Sequence, residues 1–140
     1  FPSWKVFTAD NVLLKVLIGD NLIFFEDKIM LTSDKAQQIL NYRFESLIPH
    51  GFTSILDIKG NNVLFKTEDR YGLYSMESNK KVMHGFDSLR LEGEFVYSIK
   101  KEKNNFSWSL FDIYGVKRTK FDYQEIRSYH DHLFAIKRRA

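Results

Sequence analysis

The sequence predicts an all-β fold of about four repeated antiparallel β-meander units, arranged as a small propeller-like ring or an open β stack. Three observations predict it. Moved by 37 positions, residues 69–101 lie over 106–138 without a gap, and self-similarity at such a period marks stacked supersecondary units. Short apolar and aromatic runs recur at the roughly 8–12-residue spacing of sandwiches, barrels and propellers. Turn chemistry separates the runs, in Asp10-Asn11, Gly19-Asp20-Asn21, Gly60-Asn61-Asn62, Ser78-Asn79 and Asn104-Asn105. With only 7 Gly and 2 Pro in the chain, Asn and Asp do most of the turning.

Taken in order, the units of this single domain (1–140) start near Trp4, Ile29, Tyr71 and Trp108. Ser3-Trp4-Lys5-Val6-Phe7 followed by Asp10-Asn11-Val12 matches Ser107-Trp108-Ser109-Leu110-Phe111 followed by Tyr114-Gly115-Val116. Residues 12–18 are the longest apolar run, broken by Lys15, and fall short of the roughly 20 residues a membrane-spanning helix needs. A shift of 42 sets residues 22–48 on 64–90, with Glu26-Asp27 on Glu68-Asp69, Leu31 on Leu73 and Phe44 on Phe86. After Pro49 a shift of 34 takes over, laying His50-Gly51-Phe52 on His84-Gly85-Phe86, so several residues are inserted between Ser33 and Ile48. Residues 34–42 read as one short helix, with Ser33 or Asp34 as its N-cap.

The 37-residue shift sets Tyr71-Gly72-Leu73-Tyr74 on Trp108-Ser109-Leu110-Phe111, Leu89-Arg90 on Ile126-Arg127 and residues 96–100 on 133–137. Phe95, Tyr97 and Ile99 alternate with Val96, Ser98 and Lys100, the period of a half-buried strand. Trp4, Tyr71 and Trp108 hold one equivalent position and Phe52, Phe86 and Tyr123 another, so both sets are expected in a shared core. The chain begins on a strand that should follow another and ends, at 133–137, on one that should precede another. In a closed ring these two would pair and leave no open edge; in a slice of a longer array they would not.

Arg70-Tyr71-Gly72-Leu73-Tyr74, Trp108-Ser109-Leu110-Phe111-Asp112 with Gly115, Pro49-His50-Gly51-Phe52-Thr53-Ser54-Ile55 and Leu133-Phe134-Ala135-Ile136-Lys137 resemble the unit of the bacterial WG-repeat (KWG-repeat) proteins. That resemblance implies β-rich repeat modules of largely unassigned function, with no catalytic signature to carry over.

Composition excludes several chemistries. The chain has 140 residues, 44% of them apolar, and no cysteine. It therefore has no thiol nucleophile, thiolate-ligated zinc, iron–sulfur cluster or disulfide, and its composition fits either a reducing or an oxidising compartment. Phe1 in place of Met makes a processed product or a domain of a longer chain the expectation, and no signal peptide is present in the stretch given. G-x-S-x-G, P-loop, H-E-x-x-H and G-x-G-x-x-G motifs are absent. Glu92 and Glu94 resemble a glycosidase pair only by spacing, and His50 and His84, each before Gly-Phe, read as turn residues.

The candidate ligand-contacting residues are His130, His132, Lys137, Arg138 and Arg139. His at i and i+2 on a strand share a face and suit a metal, but Tyr129-His130-Asp131-His132 falls over Glu92-Gly93-Glu94-Phe95, which has no such pair. Surface variation is the reading, and no catalytic, metal or cofactor site is expected. Net charge is +3, and the excess gathers in residues 94–140; Lys137-Arg138-Arg139 would meet phosphate in a salt-sensitive way. The expected function is a non-catalytic binding or scaffolding module whose partner is another protein. The alternatives are a carbohydrate- or nucleic-acid-binding module using exposed aromatics and the basic C-terminal units, and an enzyme with an unrecognised site.

Overall fold

The computed structural model describes residues 2–34, 36–49, 54–119, 123–129 and 132–136. Among them every regular element is a strand. The chain divides into two compact units, Phe1–Ile55 and Leu56–Ala140. In the first, β1 (Ser3–Phe7) pairs with β2 (Leu13–Ile18), and β3 (Asn21–Phe25), β4 (Lys28–Ser33) and β5 (Ala36–Asn41) form a meander. β6 (Ser54–Lys59) spans the boundary and begins a four-stranded sheet with β7 (Asn62–Thr67), β8 (Arg70–Ser75) and β9 (Lys80–Phe86). The second unit continues with a meander of β10 (Leu89–Glu92), β11 (Phe95–Glu102) and β12 (Asn105–Asp112), then the hairpin β13 (Glu125–Tyr129) and β14 (His132–Ile136). The sheets are antiparallel, and sequential strands are ladder neighbours.

The hairpins show why the sequence repeats. β3–β4, β7–β8 and β11–β12 each reverse over two residues: Glu26-Asp27, Glu68-Asp69 and Lys103-Asn104. The first residue of each loop is left-handed, with φ of 50°, 55° and 49°, as tight hairpin turns demand. The 37-residue offset survives in the pairing: Tyr71 stands opposite Phe86, and Trp108 opposite Tyr123. Trp108 and Tyr123 exchange both backbone hydrogen bonds, at 2.5 and 2.8 Å.

Packing repeats as well. Leu73 and Met83 of the β6–β9 sheet close against Leu89, Leu91 and Val96 of the next sheet. The opposite face of that sheet supplies Tyr97 and Leu110, which close against Ile126 of β13. In the first unit Leu17, Ile29, Leu31 and Leu40 form the equivalent cluster, with Leu31 in the place of Leu73. Apolar burial between successive sheets supplies the main driving force, at roughly 25 cal/mol per Å2 removed from water.

Several expectations are corrected. Residues 36–41 are β5, not a helix: Ala36, Gln37 and Gln38 favour a helix locally, but Ile39 and Leu40 are buried as the strand pairs along all of β4. Tertiary pairing overrides so weak a propensity. β5 ends at Asn41 and β6 begins at Ser54, whereas only Asp87 and Ser88 separate β9 from β10, so the chain is longer after β5 than after β9. Tyr71 opposes Phe86 but Ile29 opposes Leu40, so the match of Phe44 to Phe86 does not hold in the pairing. β11 is not half-buried, because clusters cover both its faces at Val96 and Tyr97.

The repeated aromatics are half-buried rather than enclosed. Tyr71 and Trp108 lean on the clusters, while Lys66 lies 5.4 Å from the Tyr71 ring centre and Arg90 5.9 Å from that of Trp108. Trp4 is more open, and its Nε1 donates to the Gly19 carbonyl at 3.0 Å. Phe52 lies outside the described residues. At the two ends, β1 pairs with β2 and β14 with β13.

Candidate functional site

The β1–β2 ribbon is the most unusual surface of the first unit. Strand alternation sends Trp4, Val6 and Leu17 to one side, where Val6 and Leu17 join the core. An irregularity between Val6 and Phe7 resets the register, so Phe7 stands opposite Leu13. The other side presents Phe7, Leu14, Val16 and Ile18, which are between 44% and 63% exposed. Single exposed apolar residues are ordinary, whereas here four stand together on one side of one ribbon. Lys5, opposite Val16, adds a positive charge to this exposed side, and Lys15, opposite Val6, adds one to the other side. Both strands have one ladder neighbour among the described residues, leaving an open backbone edge on each.

A second feature lies in the second unit, where Glu94, Leu110, Asp112, Tyr114 and Arg118 line a cavity of about 490 Å3. Asp112 is only 7% exposed and organises the loop after β12. Its Oδ1 accepts the Tyr114 and Val116 N–H groups at 2.9 and 3.0 Å, and Oδ2 accepts Arg118 Nε at 3.1 Å. Burial works to raise the Asp112 carboxyl, but those N–H groups and the Arg118 guanidinium outweigh it and hold it below the usual carboxylate value. With its oxygens so engaged, Asp112 is a turn-forming residue. The same five-residue loop recurs as Thr8 to Val12 and Asn41 to Glu45, with side-chain oxygens accepting from Val12 and Glu45 and left-handed residues at Asn11, Phe44 and Gly115.

This geometry fixes a pH dependence. Because the folded value of Asp112 is depressed, its stabilisation is present above the ordinary carboxylate range near pH 4 and is lost as pH falls through the folded value. Asp112→Asn is expected to cost about 1–3 kcal/mol at pH 7, the range for leaving buried partners unmatched. The difference from the unaltered protein should shrink in acid. Denaturant melts at pH 7 and pH 3 check it; a pH-independent gap would contradict the assignment.

The residues singled out in the sequence are not gathered into one site. His132 is exposed on β14, with its ring centre 6.5 Å from that of Phe134. His130, Lys137, Arg138 and Arg139 lie outside the described residues, as does His50. His84 is exposed on β9 beside Gly85, whose φ is 75°. Glu94 lines the Asp112 cavity. Among the described residues no three His, Asp or Glu side chains are grouped to hold a metal, and no helix is long and apolar enough to cross a membrane. The exposure of Phe7, Leu14, Val16 and Ile18 carries no mark in the sequence, because an apolar run reads alike whether covered or bare.

Compared with known proteins, the chain matches no family model and no curated protein.

Proposed function

We propose that this chain is a non-catalytic β-repeat module of the WG-repeat kind, propeller-like or openly stacked, that binds another protein through the β1–β2 ribbon. The observation that supports this reading is the exposed apolar side of that ribbon, combined with its open edges. An extended segment fits such a surface by adding a strand: main-chain hydrogen bonds give affinity, and alternate side chains give specificity. Beside β2, one set of its side chains would lie along Leu14, Val16 and Ile18 and the other beside Lys15. The partner segment is therefore one that alternates apolar with acidic residues.

A synthetic peptide alternating valine and glutamate, titrated into isotope-labelled protein, tests this. Saturable amide shifts confined to residues 3–18 are expected, and they should vanish in a Val16→Ser, Ile18→Ser variant. That variant should keep its stability within about 1 kcal/mol, because the replaced side chains are exposed. Shifts centred instead on Tyr71 and Trp108, evoked by an oligosaccharide or oligonucleotide, would overturn the reading in favour of aromatic stacking on sugars or bases.

A further inference from the structure

The β13–β14 hairpin repeats the first two strands of the meander before it. Leu89 stands opposite Ser98 in β10–β11, and Ile126 opposite Ala135 in β13–β14, the same register moved by 37 positions. Phe134 and Ile136 therefore hold the places of Tyr97 and Ile99. β11 carries a third strand, β12, on its other edge, whereas among the described residues β14 has β13 alone. Tyr97 is 2% exposed, but Phe134 is 53% and Ile136 43% exposed. The first unit holds a strand of the β12 kind. Ser3-Trp4-Lys5-Val6-Phe7 of β1 matches Ser107-Trp108-Ser109-Leu110-Phe111 of β12, and the loops that follow carry the same bonds. The Thr8 N–H donates to the Val12 carbonyl as the Asp112 N–H does to that of Val116, both at 2.9 Å. The Asn11 N–H returns to the Thr8 carbonyl as the Gly115 N–H does to that of Asp112, at 3.0 and 3.1 Å. β1 has β2 along one edge, and among the described residues its other edge is open.

We propose that β1 of a second copy of this chain adds to the open edge of β14, antiparallel and in the register of β12 on β11. Trp4, Lys5 and Val6 of the added strand then stand opposite Ile136, Ala135 and Phe134, as Trp108, Ser109 and Leu110 stand opposite Ile99, Ser98 and Tyr97. The product is a four-stranded sheet, β13–β14 of one copy followed by β1–β2 of the other, the size that β6–β9 already has. Residues opposed across a ladder share a face. Phe134 and Ile136 thus join the side of β1 on which Val6 packs with Leu17, Ile29, Leu31 and Leu40, extending an interface the fold already builds. Two open strand edges gain main-chain partners at the same time. The two surfaces differ, so the contact is head-to-tail. This inference does not rest on the strand-adding reading above, which uses the edge of β2.

Lys5→Cys and Ala135→Cys, made as separate variants of this cysteine-free chain, are mixed and oxidised. Their mixed disulfide should form well above its random share relative to the two same-site disulfides. Val16→Cys lies opposite Lys5 on β2, one strand further from β14, and should give no such excess with Ala135→Cys. In sedimentation the unaltered protein should gain average mass with concentration. Phe134→Asp should weaken that association by about tenfold or more, because the contact would bury an unpaired charge. Phe134 is exposed in the single chain, so this variant should keep its melting behaviour. A random yield of the mixed disulfide, or an equal excess with Val16→Cys, would overturn the assigned edge. A protein that stays monomeric at every concentration would overturn the second copy. So would an internal bridge in a Lys5→Cys, Ala135→Cys double variant that sediments as a single chain.

Discussion

Leu73→Ala is expected to destabilise the protein by roughly 2–5 kcal/mol, the range for emptying a fully buried leucine site. Leu73 is 0% exposed and lies where the β6–β9 sheet meets Leu89, Leu91 and Val96 of the next sheet. Its loss removes contacts on both sides of one interface, and strands on either side are held by their ladders, so the space cannot readily collapse. Leu31→Ala and Leu110→Ala should cost less, because both occupy the equivalent position but retain slight exposure. Denaturant melts of the three variants check the ranking. A Leu73→Ala midpoint near that of the unaltered protein would place the inter-sheet cluster outside the main stabilising core.

Gly72→Ala is the second large effect, for the opposite reason. A Cβ at Gly72 would stand 2.8 Å from the Met83 carbonyl oxygen and collide with the Phe65 ring, which covers it from the neighbouring strand. Overpacking of this kind costs about 1–3 kcal/mol, and the backbone oxygen cannot move as the tip of a flexible side chain would. Phe65→Leu should relieve part of the collision, so the double variant should lose less than the sum of the two single losses. Strict additivity would mean that the ring does not exclude the Cβ. The repeat-equivalent Ser109 lies opposite Ser98, not an aromatic ring, which explains why a side chain is accommodated there.

The repeat was legible because its determinants are local and spaced by the chain. Glu26-Asp27 and Glu68-Asp69 mark equivalent two-residue turns, and Tyr71 and Trp108 keep their opposite numbers at one offset. Residues 36–41 read as helix in the sequence because Ala36, Gln37 and Gln38 carry helical propensity, while the fact that decides their state, a β4 strand needing a partner, lies in the tertiary structure. Double burial of β11 was hidden for a related reason: a period-two pattern reports alternation but not whether the outer face is covered. The exposed side of β1–β2 was not legible at all.

Cross-strand backbone contacts measured by NMR decide most directly whether residues 69–101 and 106–138 are two copies of one unit. Contacts linking Tyr71 with Phe86 and Trp108 with Tyr123 are the expected result, both pairs at the same 37-residue offset. Finding Trp108 paired in another register, or with no partner across the ladder while Tyr71 keeps Phe86, would contradict the repeat.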